Sequence, residues 1–127
     1  MELRHFNAQA VQAPKGGYAG LCEVTGAQRL AFVSGQIPAD ADGKVPVDFA
    51  AQARLAWANV EAQLQAAGMS LDNLVKVTTF LSDRRYNLEN RTVRQEALGA
   101  RTPALTVIIA GIFDSAWLLE IEAIAAA

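Results

Sequence analysis

The segment Pro103-Ala-Leu-Thr-Val-Ile-Ile-Ala110 constrains this chain more than any other, because it reads as a strand with hardly a polar face. Strand side chains alternate between the two faces of a sheet. Leu105, Val107 and Ile109 therefore share one face, and Thr106, Ile108 and Ala110 the other. A strand apolar on both faces is usually buried on both. A second strand, Trp117–Ile124, puts Leu118, Glu120 and Glu122 on one face and Leu119, Ile121 and Ala123 on the other. Two carboxylates thus leave an otherwise apolar strand in one direction, beside a buried neighbour. They line either a solvated face or a site.

The remaining elements follow from periodicity and punctuation. Residues 2–6 read as a short first strand, and Pro14-Lys-Gly-Gly17 as a turn. Tyr18–Val24 is predicted to be a strand, joined by the turn Thr25-Gly-Ala-Gln28 to an antiparallel partner at Arg29–Gly35. Asp40–Gly43 forms another turn, and Val45 before Pro46 stays extended. Asp48 is placed to cap a helix that runs to about Ala67 and ends at Gly68. Phe49, Ala53, Ala56, Val60, Leu64 and Ala67 mark its buried stripe. Leu74–Leu81 is a further strand, and a second helix from about Tyr86 to Leu98 is closed by Gly99. The result is one α+β domain over residues 1–127. Two helices cover one face of such a sheet and leave nothing for the other. The doubly apolar strand at 104–110 therefore implies burial against other subunits, and a homo-oligomer is expected.

Composition narrows the function. A chain of 127 residues, 52% hydrophobic and 19% charged, can bury a core without disulfides or metals. Its formal charge of -2 and pI of about 5.3 give no electrostatic case for nucleic acid or an anionic membrane. No apolar run approaches the roughly 18 residues of a membrane span. The opening Met-Glu-Leu-Arg-His-Phe lacks the apolar centre of a signal peptide, so a cytoplasmic protein is expected. The single cysteine, Cys22, excludes an internal disulfide and a cysteine metal cluster. The single histidine, His5, excludes a two-histidine metal site within one subunit. The glycines at 16, 17 and 20 do not make a phosphate loop. No metal or cofactor is expected, and chemistry falls to carboxylates, hydroxyls, amides and backbone donors. Cys22 reads as an inert thiol and His5 as a surface residue near a chain end. Glu120 is the leading candidate for acid–base work. Ser34-Gly35-Gln36-Ile37-Pro38 is either a plain strand exit or part of a pocket. Asn59 and Asn90, each within a helix, either tie down a loop or face a ligand. Arg84-Arg85 reads as a solvated loop pair.

Taken in order, these stretches resemble the RidA/YjgF family of reactive-intermediate deaminases, known also as L-PSP endoribonucleases. The resemblance is carried by Gly17-Tyr18, Phe32-Val-Ser-Gly-Gln-Ile-Pro38, Ala51-Gln52, Asn59-Val60 and Ala66-Ala-Gly68. It continues through Leu74-Val-Lys76, Phe80-Leu-Ser-Asp83, Asn90, Pro103-Ala104 and Glu120-Ile-Glu-Ala-Ile-Ala125, and so spans nearly the whole chain. It implies a chorismate-mutase-like α+β fold, with a mixed sheet of about six strands and two helices on one face. It also implies a homotrimer with a small-molecule cleft at each subunit interface. Deaminating members hydrolyse enamines and imines to a keto acid and ammonia. An arginine directly after Pro-Ala clamps the substrate carboxylate, and a glutamate before Ile-Glu-Ala positions or activates water. By position, the water-handling role falls on Glu120, while Tyr18, Ser34, Gly35 and Asn90 line the pocket.

The arginine does not carry over. Leu105 stands in its place, and Val107 stands where some members have cysteine. Losing a charge-assisted hydrogen bond costs about 1.5–3 kcal/mol, or about ten- to a hundredfold in affinity. Arg101 lies upstream across roughly 13 Å of extended chain. The segment between Asn90 and Pro103 is also shorter than in typical deaminating members. Two functions remain open. One is an enzyme hydrolysing a reactive enamine, an imine or a related C–N bond, with Glu120 handling the water and Leu105 and Val107 making the pocket more apolar. The other is a non-catalytic ligand-binding or regulatory trimer. A ribonuclease is disfavoured by the lack of a basic patch and of a histidine pair.

Overall fold

The helices form where their caps predict. A computed structural model describes all 127 residues. In it Asp48 accepts a hydrogen bond from the Ala51 N–H at 3.1 Å and starts α1, Phe49–Ala66. Gly68, at φ 71°, turns the chain away after it. The expected stripe is buried from Phe49 to Leu64, but Ala67 is exposed because it lies past the last turn. Gln52 and Trp57 are buried as well. The Gln52 amide donates to the carbonyls of Pro46 and Ala116 and accepts from the Leu118 N–H, which joins the helix start to the approach of the last strand. The second helix, α2, spans Asn87–Leu98 and is closed by Gly99 at φ 60°.

All six expected strands are present: β1 Glu2–Phe6, β2 Leu21–Thr25, β3 Leu30–Gln36, β4 Leu74–Leu81, β5 Ala104–Ile109 and β6 Leu119–Ala126. Four of them make a mixed sheet in the order β3-β6-β4-β5, with β4 and β5 parallel and the other pairs antiparallel. Helix α1 packs on one face of this sheet, over β6 and β3, and α2 packs beside α1. Between the layers, Val77, Leu81, Leu119 and Ile121 are fully buried.

The expected hairpin between β2 and β3 does not form. β2 pairs instead with β1, from Glu2 opposite Thr25 to Phe6 opposite Leu21, and the two stand as a separate small sheet. The backbone of the intended turn is engaged elsewhere. The Ala127 carbonyl accepts from the N–H groups of both Gln28 and Arg29 at 2.9 Å, and the Ala127 N–H donates to the Arg29 carbonyl. The chain ahead of β2 is anchored to the start of β5, where Ala19 bridges Ala104 and donates to the Pro103 carbonyl at 3.3 Å. Tyr18 consequently lies in a loop rather than a strand.

The face of the four-stranded sheet away from the helices carries no helix of this chain. Leu30 and Phe32 are 60% and 71% exposed on β3, and Ile108 is 46% exposed on β5. This is the uncovered apolar face that the strand pattern required.

Candidate functional site

Period two places Glu120 on the uncovered face, since its neighbours Leu119 and Ile121 point into the core. Glu120 sits opposite Phe80 in the β4–β6 ladder. On its other side β3 loses its regular register between Val33 and Gln36, at Ser34-Gly35. The carboxylate lies directly over Gly35. A Cβ added there would fall 1.9 Å from Glu120 Oε2 and 2.7 Å from its Cδ. The motif glycine and the candidate glutamate thus meet, and the absent side chain is what admits the carboxylate. Glu120 forms no ion pair within the subunit. It opens on a cavity of about 260 Å³ lined also by Phe80, Gly111 and the exposed Phe113.

The other expected pocket residues gather elsewhere. Leu105 and Val107 sit opposite Val77 and Thr79 of β4, on the helix side of the sheet, and pack against the core. Tyr18 directly precedes Ala19, the residue bridged to Ala104. Asn90 is buried on α2. Glu120, Ser34 and Gly35 therefore form one half-site on the uncovered face. Leu105 and Val107 lie on β5, Tyr18 in the loop just before the residue bridged to its start, and Asn90 on α2, all apart from that group. One subunit does not bring the two sets together.

Arg94 stands outside the candidates that residue type and motif single out. The buried positions of α2 are Asn90, Val93, Arg94 and Leu98, so two polar side chains one turn apart share its inner side. Asn90 Nδ2 and Arg94 Nε are the buried side-chain polar atoms without a hydrogen-bond partner. Arg94 does donate from Nη2 to the Gly16 carbonyl at 3.0 Å. Burial, followed by the neighbouring charge of Arg91, lowers the pKa of the Arg94 guanidinium, while the Tyr18 phenol acts in the opposite sense. The available signal was the four-residue spacing from Asn90, which sets both residues in the phase of Val93 and Leu98.

The remaining candidates are structural. Arg101 is paired with Asp72 at 2.7 Å and directed away from Leu105's role. Asn59 donates from Nδ2 to the carbonyls of Ile37 and Ala39 at 3.0 and 2.9 Å, tying the exit of β3 to α1. Cys22 and His5 lie 3.8 Å apart, but His5 Nδ1 is 2.8 Å from the Thr102 carbonyl. A nitrogen facing a carbonyl must carry the hydrogen, so it cannot serve as a base toward the thiol. Burial raises the Cys22 pKa, which keeps the sulfur a thiol.

The fold is that of a known family. The family described as Endoribonuclease L-PSP matches residues 10–127. The RutC family protein of Haemophilus influenzae is 37% identical over 101 residues, covering 76% of this chain and 78% of that protein. The RutC family protein YjgH of Escherichia coli is 42% identical over 72 residues, and the match spans about half of each, 56% of this chain and 55% of that relative. Among solved structures, the Rid-family protein YyfB of Yersinia pestis superposes with a TM-score of 0.88 over the whole of both chains at 23% identity, a likeness of fold. Escherichia coli TdcF with bound serine superposes with a TM-score of 0.72 at 30% identity, over 98% of each chain. The chain belongs to the RidA/YjgF family, also called the L-PSP endoribonuclease family.

Proposed function

We propose that this protein is a hydrolase of reactive enamines or imines, working as a homotrimer with its small-molecule cleft at each subunit interface. The observation that carries the reading is the seating of the Glu120 carboxylate on the bare backbone of Gly35, beside a cavity and without an ion partner. Hydrolysis of an imine adds water across the C=N bond. The water oxygen bonds to carbon, and one of its protons passes to the carboxylate of Glu120. That proton is passed to nitrogen to give the neutral carbinolamine. Glu120 then takes the hydroxyl proton and delivers it to the same nitrogen as the C–N bond breaks, releasing ammonia and leaving a carbonyl. An enamine follows the same path after tautomerisation. Phe80 and Phe113 line the cavity beside the carboxylate and shape the space around the reacting carbon.

A trimer would supply what one subunit lacks. The half-site of Glu120, Ser34 and Gly35 lies on the uncovered face, and Tyr18, Asn90, Leu105 and Val107 lie apart from it. Apposing the uncovered face of one copy to the β5 edge of the next would bring the two sets together, and it would also bury Phe32 and Ile108. Cyclic repetition of one such head-to-tail contact closes a ring. One relative, Escherichia coli TdcF, carries the name reactive intermediate deaminase, and its structure holds serine, a small carboxylate-bearing molecule. A ligand of that size suits a cavity of about 260 Å³.

The test is ammonia release from freshly generated 2-iminopropanoate and from a bulkier imine, with wild type and Glu120→Gln. Activity in wild type that falls at least about a hundredfold in Glu120→Gln supports the reading, since positioned acid–base groups contribute 10²–10⁴-fold. A second reading, a ligand-binding trimer without catalysis, is favoured by the apolar Leu105. It prevails if wild type binds small carboxylates yet accelerates neither imine.

A further inference from the structure

Leu105 leaves the expected carboxylate clamp without a cation on β5, and the structure puts one next door. Arg94 leaves α2 on the side of Asn90, and its Nη2 is held by the Gly16 carbonyl. Gly16 is three residues before Ala19, which bridges Ala104. Three residues span at most about 11 Å, which keeps the Arg94 guanidinium on the side of the fold where β5 starts at Ala104, the residue before Leu105. Arg91 reaches the same glycine, since a Cβ built on Gly16 would lie 3.2 Å from Arg94 Nη2 and 3.4 Å from Arg91 Nε. Neither arginine belongs to an ion pair of the chain.

Two guanidinium groups around one glycine, with no carboxylate in ion-pair reach of either, form a cluster that lacks its counter-charge. A buried arginine is unfavourable unless paired and hydrogen-bonded. Arg94 is 5% exposed and Asn90 2% exposed. Their Nε and Nδ2 donors, one helical turn apart, are the buried side-chain donors that no protein acceptor satisfies. The single bond to Gly16 occupies one of the five N–H donors of a guanidinium fork, which leaves an edge for a planar anion. We infer that Arg94, assisted by the Asn90 amide, holds the ligand's carboxylate, supplying from α2 the charge that Leu105 cannot supply from β5. This inference rests on the cleft reading above. It makes the ligand an anion despite the leucine, and it makes Arg94 the residue that selects carboxylate over neutral compounds.

The substitution that separates binding from support is Arg94→Met. An apolar side chain of similar length relieves an unpaired buried charge, so the melting temperature should stay level or rise. A purely structural arginine would instead lower it. Protein NMR titration with pyruvate and with its neutral carboxamide, pyruvamide, reads the affinities. Wild type should prefer pyruvate at least tenfold. Arg94→Met should lose pyruvate affinity by about ten- to a hundredfold and keep that for pyruvamide, and adding Leu105→Arg should restore the preference. In wild type itself, the Arg94 Nε–H resonance should shift with pyruvate and not with pyruvamide, a readout that stands even if Arg94→Met fails to fold. An unshifted resonance, or unchanged pyruvate affinity in Arg94→Met, overturns the inference. If wild type binds neither compound while Leu105→Arg binds pyruvate, the cleft stands and the role of Arg94 falls. If Leu105→Arg also binds neither, both readings fall.

Discussion

Gly35→Ala is the substitution whose outcome the geometry specifies most fully. The three atoms nearest a Cβ at position 35 all belong to Glu120: Oε2 at 1.9 Å, Cδ at 2.7 Å and Cγ at 3.0 Å. No real Cβ tolerates a contact of 1.9 Å, so the glutamate side chain must turn aside. Forcing it off its rotamer costs about 0.5–1.5 kcal/mol, and the accompanying overpacking brings the total to about 1–3 kcal/mol. Gly35 has no positive φ, so the backbone accepts alanine without strain. In a Glu120→Ala background the clash is gone, and alanine should then stabilise by about 0.4–1 kcal/mol through the unfolded chain. The double-mutant cycle should therefore yield a coupling of about 1.5–4 kcal/mol between the two positions. Chemical denaturation of the four proteins at one protein concentration measures it. Imine hydrolysis by Gly35→Ala should fall about a hundredfold, the usual consequence of moving a catalytic group by about 1 Å. If Gly35→Ala costs the same with and without Glu120, the carboxylate is not seated on that glycine and the proposed water-handling site is wrong.

Other outcomes follow from single contacts. Asn59→Ala removes both donors to Ile37 and Ala39 and should destabilise by about 1–3 kcal/mol, read as a lower denaturation midpoint with an unchanged slope. Phe32→Glu puts a charge on the uncovered face, where Phe32 is 71% exposed. It should shift sedimentation from trimer toward monomer and abolish hydrolysis with it, whereas a monomeric wild type would defeat the assembly reading. The raised pKa of Cys22 means that the folded state binds its proton more tightly than the unfolded chain does. Its contribution to stability is complete below the ordinary thiol value of about 8.5 and is lost as pH rises past it. Cys22→Ala should flatten that alkaline decline, and wild type should react slowly with iodoacetamide at pH 7.5.

The placement of Glu120 was legible because it is encoded locally. Glu120 faces away from Leu119 and Ile121 by the alternation of a strand alone, and it meets the Gly35 that the motif singled out. Asn59 showed its loop-tying option as a polar residue in mid-helix, and contacts with Ile37 and Ala39 realise it. Arg94 was harder to see, because an arginine on a helix is ordinarily solvated. Only the loop at Gly16 folding over it makes it buried and short of partners.

What the sequence by itself determined is therefore the set of elements, their caps, the face of each side chain and the need for a cover over β5. Each of these depends on neighbours within a few residues, through dihedral preferences, capping and the periods of 3.6 and 2. Only the tertiary structure decided that β2 joins β1 and not β3, that Leu105 and Glu120 occupy opposite faces, and that Arg94 meets Gly16. Those outcomes hang on partners brought from distant positions, above all Ala127 at the turn before β3 and Ala104 beside Ala19. A backbone group bonds to whichever partner the fold delivers, and local pattern does not say which one arrives.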